Sequence, residues 1–79
     1  MRSIPISRVN PGPFRVAGVL LPSDQTQRLS RLGLRPGIAV DVLQNGRENG
    51  AVIACGDTRI ALDGGTAARV FVVSVGGEK

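Results

Sequence analysis

The stretch RLSRLGLRPG, residues 28–37, predicts the end of a helix followed by a turn. Leu29 and Leu32 lie three residues apart and share one face of a helix, so we expect both leucines in the core. Gly33 follows as the residue that ends the helix, because glycine adopts a positive φ without the strain that a side chain would bring. The stretch therefore predicts a helix whose last turns are packed against the rest of the protein.

The second half of the stretch leads the chain into a strand. Pro36 cannot continue a helix, and Pro36 followed by Gly37 suits a tight turn. Ile38, Val40 and Val42 then alternate with other residues, as in a half-buried strand. A helix folded back on a strand within a few residues is typical of a small β-barrel that one helix closes, and not of an active site.

Turn signals divide the rest of the chain into short strands around this helix, which is predicted from Asp24 to Leu32 with Ser23 as its N-cap. Gly18 marks a bulge or sharp bend in the first strand. The predicted strands are Phe14 to Leu20, Ile38 to Gln44, Ala51 to Cys55, Thr58 to Leu62 and Val70 to Val75, with a helical turn over Ala67 to Arg69, and with Ile4, Ile6 and Val9 in a short edge strand or across the barrel. We therefore predict a mainly β fold, a small antiparallel β-barrel of five to six strands with one α-helix after the first long strand, because closure hides exposed edges.

Size and cysteine content place the chain among small proteins of reducing compartments. The 79 residues are predicted to form one domain, with residues 76–79 as a loose tail. Cys55 is the sole cysteine, which excludes an internal disulfide, and its strand position predicts a small buried side chain. The N-terminus has no apolar signal region, and no apolar run approaches the roughly twenty residues that span a bilayer. We therefore expect a cytoplasmic protein.

The residue inventory argues against catalysis and against metal binding. The chain has no histidine, which removes the commonest metal ligand and general base, and its six acidic residues are scattered. Nothing assembles a nucleophile, a base and an orienting group, so we expect no enzyme activity, no cofactor and no metal site. Gly64-Gly65-Thr66 resembles a phosphate cradle only in part, because a P-loop needs a lysine after the glycines, and a turn is the better interpretation.

The net charge of +4 comes from nine arginines and one lysine against six acids. Such a balance suits an acidic protein partner, a nucleic acid or an anionic membrane surface, and it also suits plain solubility. Arg28, Arg31 and Arg35 form a basic ridge beside the leucine stripe. Phe14 and Phe71 are the only aromatic residues, and both lie at strand positions that favour burial. Stacking platforms for single-stranded nucleic acid and an aromatic groove for proline-rich peptides are therefore missing.

The chain resembles the FeoA family, the small cytosolic SH3-like barrels of the bacterial ferrous iron transport system. The resemblance covers nearly the whole chain and is most specific in residues 28–37. It also rests on the leader ending in Asn10-Pro11-Gly12, the strand FRVAGVL, the strand IAVDVL, the segment TRIAL with Ile60, Ala61 and Leu62, and the closing turn Ala67-Ala68-Arg69-Val70. The chain departs from the family in the turn from Asn45 to Gly50, which is shorter than the loop of many relatives.

The resemblance implies a non-catalytic partner of FeoB, the membrane GTP-binding protein that moves Fe(II) inward. It also implies kinship with the SH3-like C-terminal domains of iron- and manganese-dependent repressors, although no helix-turn-helix precedes the barrel here. We expect docking through the exposed set Leu21, Gln25, Arg28, Arg31 and Arg35, with Gly33, Pro36 and Gly37 shaping the turn that aims it. An exposed edge at the proline-rich leader would allow a homo-oligomer. A basic small barrel that binds nucleic acid stays open as the alternative function.

Overall fold

A computed structural model describes residues 2–75 of the chain. Its elements in chain order are β1 (Ile4–Pro5), a 3-10 turn (Ile6–Arg8), β2 (Gly12–Val19), α1 (Ser23–Arg31), β3 (Ala39–Asn45), a second 3-10 turn (Arg47–Asn49), β4 (Ala51–Cys55), β5 (Thr58–Leu62), α2 (Gly64–Ala67) and β6 (Val70–Ser74). Strands β4 and β5 have the predicted bounds, and the other long strands begin or end within two residues of theirs. The predicted loose tail, residues 76–79, lies outside the described residues.

The six strands form one antiparallel sheet in the order β1-β6-β2-β3-β4-β5, which confirms the mainly β fold. The prediction of a closed barrel is wrong, because β1 and β5 are edges that do not pair with each other within residues 2–75. Strand β1 pairs with β6 at only Ile4 and Pro5, and the chain then enters the 3-10 turn. Pro5 has no N–H to donate, so the leader leaves the sheet instead of extending the ladder.

One hydrophobic cluster fills the inside of the curved sheet. The strand alternation predicted for Val40 and Val42 holds, since both are buried. The buried members are Ile6, Val9, Val16, Leu29, Leu34, Val40, Val42, Ala51, Ile53, Ile60, Leu62, Ala67, Val70 and Val72. Phe14 and Phe71, expected to be buried, are only half-buried. No polar or charged side chain of residues 2–75 is buried, so the side chains of the core are all apolar.

Two local predictions in the sheet are confirmed, the bulge at Gly18 and a short hairpin turn at Gly56-Asp57, which the predicted strands on either side of these two residues indicate. The register between β2 and β6 shifts between Val16 and Gly18, which is the bulge predicted at Gly18. Such a bulge bends a strand and increases its twist, and the small sheet needs both to wrap around its core. The β4–β5 hairpin turns through Gly56 and Asp57, with Gly56 at φ +60°, as a two-residue hairpin with glycine first requires.

Helix α1 begins one residue earlier than predicted. Ser23 is its first helical residue, so the prediction of Ser23 as N-cap is wrong; Pro22 holds the cap position and makes no side-chain capping bond. The first turn is closed instead by Thr26, whose N–H donates to the carbonyl of Pro22 at 3.0 Å and whose hydroxyl donates to the carbonyl of Leu21 at 3.1 Å. These bonds tie the start of α1 to the end of the preceding strand.

The leader is held by a side chain that the sequence does not single out. The Asn45 amide NH₂, at the end of β3, donates to the carbonyl of Ile6 at 3.0 Å and also to the carbonyl of Val9. The Asn45 side-chain oxygen accepts from the N–H of Arg47 at 2.9 Å. Arg47 has φ +59°, an uncommon conformation for a residue with a side chain. Asn45 therefore fixes its own loop and the buried leader at the same time.

Candidate docking surface

The C-terminal end of α1 is a complete Schellman motif. The N–H of Leu34 donates to the carbonyl of Leu29 at 2.9 Å, and the N–H of Gly33 donates to the carbonyl of Ser30 at 3.0 Å. Gly33 has φ +101°, which confirms the predicted helix stop. Leu29 and Leu34, the two residues that this motif brings into apolar contact, are 8% and 1% exposed. The motif thus decides which leucines enter the core.

Leu32 is outside the core, and the prediction that it packs inside together with Leu29 is wrong. It holds the C-cap position of α1 and is 44% exposed. The reason is the motif itself, because the core contact is made by the residue three positions before the cap and by the residue two positions after it. Leu32 therefore projects from the surface at a point where the backbone is fixed on both sides.

The arginine ridge lies on the same end of the helix. Arg28, Arg31 and Arg35 are all exposed, and none of the side-chain hydrogen bonds within residues 2–75 uses their guanidinium groups. Cations in the last turn of a helix are favoured by its dipole, which accounts for Arg28 and Arg31 in part. Their outward donors are open to a ligand, and each can bind a carboxylate through two bonds.

The turn after the helix is fastened to the sheet. Gly37 has φ +92°, its N–H donates to the carbonyl of Val16 at 2.8 Å, and its carbonyl accepts from the Arg15 side chain at 2.8 Å. The N–H of Val16 donates to the carbonyl of Ile38 at 2.9 Å. The predicted structural turn is therefore present, and Pro36 lies within it. Because the turn is bonded to β2, the ridge is held in a fixed position relative to the sheet.

The two remaining predicted contact residues lie toward the other end of α1. Gln25 is exposed, but Leu21 is half-buried against the core, so it is less accessible than expected. Together with Thr66 and Arg69 they line a shallow groove of about 530 Å³ between α1 and α2. The structure thus brings Leu21 and Gln25 to a groove and leaves the three arginines and Leu32 on the open surface beside it.

A larger groove of about 680 Å³ lies away from the ridge, between the leader and α2. Arg8, Arg47 and Gly64 are among its lining residues, and the Arg47 guanidinium donates to the carbonyl of Ser7 at 3.4 Å. Gly64 is needed here for packing, because a Cβ at this position would overlap the carbonyl of Glu48. This explains the first glycine of Gly64-Gly65-Thr66 through a close backbone approach, and the three residues form the start of α2 instead of the predicted turn.

The N-terminus of α2 is capped by the side chain of Asp63. The sequence did not predict this cap. The Asp63 side chain accepts from the N–H of Thr66 at 2.7 Å and forms the N-cap of α2. This bond from the backbone of Thr66, followed by one from its side chain, lowers the pKa of the Asp63 carboxyl below its usual value. The predicted helical turn therefore lies earlier than expected, at Gly64–Ala67.

Within residues 2–75 no three His, Cys, Asp or Glu side chains lie close enough together to hold a metal ion. Cys55 is half-buried, not fully buried as expected, and burial raises the pKa of its thiol. A raised pKa keeps the thiol protonated and weakens it as a nucleophile and as a ligand. No helix in the described part of the chain combines the length and the apolar character needed to cross a bilayer.

Comparison with known proteins agrees with these features. The family model of the FeoA domain matches residues 4–74, and the chain therefore belongs to the FeoA family. A crystal structure of an iron uptake regulatory protein (FeoA) is 32% identical, with a TM-score of 0.79, over 91% of this chain and 97% of that one. Family membership suggests a role in ferrous iron transport systems, as a small accessory protein.

Two more distant structures share the fold. The solution structure of the FeoA protein from Chlorobium tepidum is 19% identical, with a TM-score of 0.84, over 96% of this chain and 74% of that one. The metal-dependent transcriptional regulator MtsR is 18% identical, with a TM-score of 0.79, over 91% of this chain but 36% of that one. The fold is thus shared with part of a metal-dependent regulator. No curated protein sequence matches the chain significantly.

Proposed function

We propose that this chain is a non-catalytic regulatory module of ferrous iron uptake that docks in the cytoplasm on the cytosolic part of a FeoB-type membrane GTP-binding transporter. Burial raises the pKa of the Cys55 thiol, which makes this thiol a weaker nucleophile. The contribution of the chain is a shaped surface that binds one state of the transporter better than another and so shifts the balance between them.

The observation that carries the proposal is the arginine ridge on the end of α1. Arg28, Arg31 and Arg35 are exposed, without a side-chain hydrogen bond within residues 2–75, and they stand on a backbone held by the Schellman motif and by the Gly37 bonds to Val16. Because the backbone is fixed, binding has to order only the arginine side chains, and their charge is complementary to carboxylates. Such a surface suits an acidic protein face.

The groove beside the ridge supplies the second part of the proposed contact. Gln25 reaches it from α1 and Leu21 forms part of its wall, so the five predicted contact residues run from just before α1 to just after it. The nucleic-acid alternative is less well supported, because Phe14 and Phe71 are half-buried in the sheet and offer no stacking platform.

The experiment is capture of the full-length transporter, reconstituted in lipid nanodiscs, by the immobilised chain. We expect capture by the natural sequence and its loss in the double variant Arg28→Glu with Arg31→Glu. The control is Arg2→Glu with Arg59→Glu, which makes the same change in net charge at two other exposed arginines. Absence of capture by the natural sequence refutes the proposed function, and equal loss in both double variants refutes the proposed surface.

A further inference from the structure

The ridge carries a large apolar side chain that is partly exposed to water. Leu32 is 44% exposed at the C-cap of α1, and its neighbours Leu29 and Leu34 make the core contact of the Schellman motif. A polar side chain at this position would satisfy the same backbone bonds and would not expose apolar surface to water. The helix end therefore accepts a cost at Leu32 that its own fold does not require.

The surrounding arginines add a second cost. Helical spacing places Leu32 four residues after Arg28 on the same face, whereas Arg31 lies about 100° around the helix and Arg35 follows in the bonded turn. Arg28 and Arg31 are three residues apart, like charges at this spacing repel each other, and the helix dipole offsets part of that repulsion. An apolar side chain among cations is the arrangement of an interface centre with a charged rim, where the anchor supplies affinity and the rim steers association.

The residues that precede Leu32 on the same face of α1 extend this centre into a continuous contact stripe. Gln25, Arg28 and Leu32 are spaced by three and four residues, the spacing of one helical face, and Leu21 lies in the groove just before the helix. The groove wall at one end and the projecting leucine at the other thus lie along the same side of α1. A partner that fills the groove reaches Leu32 without leaving this face.

We propose that Leu32 is the apolar anchor of the docking surface, and that the partner presents an apolar pocket of leucine size rimmed by carboxylates that pair with Arg28, Arg31 and Arg35. This inference rests on the proposed function and specifies the chemistry of the surface that receives the chain. The backbone hydrogen bonds around Leu32 fix the position of its Cα atom before binding. Entry into the pocket therefore costs only the rotamer freedom of the leucine side chain.

The test compares Leu32→Ala with Leu43→Ala in binding kinetics on the nanodisc-embedded transporter, with empty nanodiscs of the same lipid as reference. Leu43 is the matched control, because it is 42% exposed and lies on β3 instead of the helix. We expect Leu32→Ala to weaken binding about 10- to 30-fold through faster dissociation, as loss of an anchor does, and Leu43→Ala to bind like the natural sequence. The Leu32 effect should persist at high salt, whereas that of Arg28→Glu should shrink.

The outcomes separate this inference from the proposed function. If the natural sequence binds the transporter and Leu32→Ala binds equally well, the anchor is refuted and the docking function stands. If the natural sequence does not bind the transporter at all, the proposed function fails and the anchor fails with it. If binding to empty nanodiscs equals binding to loaded ones, the surface recognises lipid and the protein pocket is refuted. Equal melting temperatures of the two leucine variants exclude a folding defect as the cause.

Discussion

Replacing Asn45 by aspartate tests whether one side chain holds the leader in place. The variant Asn45→Asp keeps the shape of the side chain and the oxygen that accepts from the N–H of Arg47. It removes the NH₂ group that donates to the carbonyls of Ile6 and Val9, and places a negative oxygen against both. The substitution therefore removes the donor role of this side chain and keeps its acceptor role.

The magnitude follows from two lost hydrogen bonds whose acceptors stay partly buried. The bond to Ile6 contributes about 1 kcal/mol, because that carbonyl still accepts from the N–H of Val9, and the Val9 carbonyl left without a partner costs about 1–3 kcal/mol, so we expect a loss of about 2–4 kcal/mol. A domain of this size loses roughly 4–8 °C in melting temperature for each kcal/mol. Asn45→Asp should therefore melt roughly 8–32 °C lower than the natural sequence.

The assay is thermal and urea unfolding, together with hydrogen exchange of the leader amides. The control Asn49→Asp makes the same chemical change at an exposed position in the same loop and should stay within about 0.5 kcal/mol of the natural sequence. The defect of Asn45→Asp should be smaller at acidic pH, where a protonated carboxyl donates one bond again. Unchanged stability and unchanged protection of the Val9 amide in Asn45→Asp would refute the reasoning.

Three further predictions concern the turns. Gly33→Ala should lose about 1–3 kcal/mol because φ +101° strains any side chain, whereas Gly18→Ala, at an ordinary φ with open space, should lose less; equal losses in unfolding experiments would contradict this. Gly64→Ala should destabilise the folded protein more than Gly18→Ala does, because the added Cβ overlaps the backbone of Glu48. If Gly64→Ala melts at the same temperature as the natural sequence, the backbone of Glu48 moves aside and this prediction is wrong. The hydrogen bonds from Thr66 lower the pKa of Asp63 in the folded state. The contribution of Asp63 to the free energy of unfolding is therefore fully present above its unfolded-state pKa, and it is lost as the pH falls through the folded-state pKa. As the pH falls through this range, the melting temperature of the natural sequence should approach that of Asp63→Asn. A difference that stays constant would contradict the assignment of Asp63 as the cap of α2.

Local patterns predicted most of the strands. The bounds of β4 and β5 were correct because apolar alternation and the Gly56-Asp57 turn both act over a few residues. The helix stop at Gly33 was predicted correctly because it depends only on the backbone conformation of that one residue. Leu32 was misassigned because a three-residue spacing does not say which leucine faces inward where a helix ends. The Schellman pattern contains that information, and it selects Leu34.

The features that were missed depend on contacts between distant parts of the chain. Asn45 bonds carbonyls 36 and 39 residues away, and no neighbouring residue signals that partnership. The open edges of the sheet follow from the early departure of the leader after Pro5, which a strand pattern does not reveal. The arginine ridge was located because exposure on a helix is periodic, but its ligand is a property of another molecule, so the docking role stays a prediction.

The most direct test of the docking face is hydrogen exchange of the full chain, free and bound to the nanodisc-embedded transporter. We predict that protection on binding is confined to the amides from Leu21 to Gly37, which carry α1, the ridge and the turn, and to those of α2 across the groove. The outer face of β3, β4 and β5 should exchange alike in both states. Protection of those strands, with none along α1, would contradict the account.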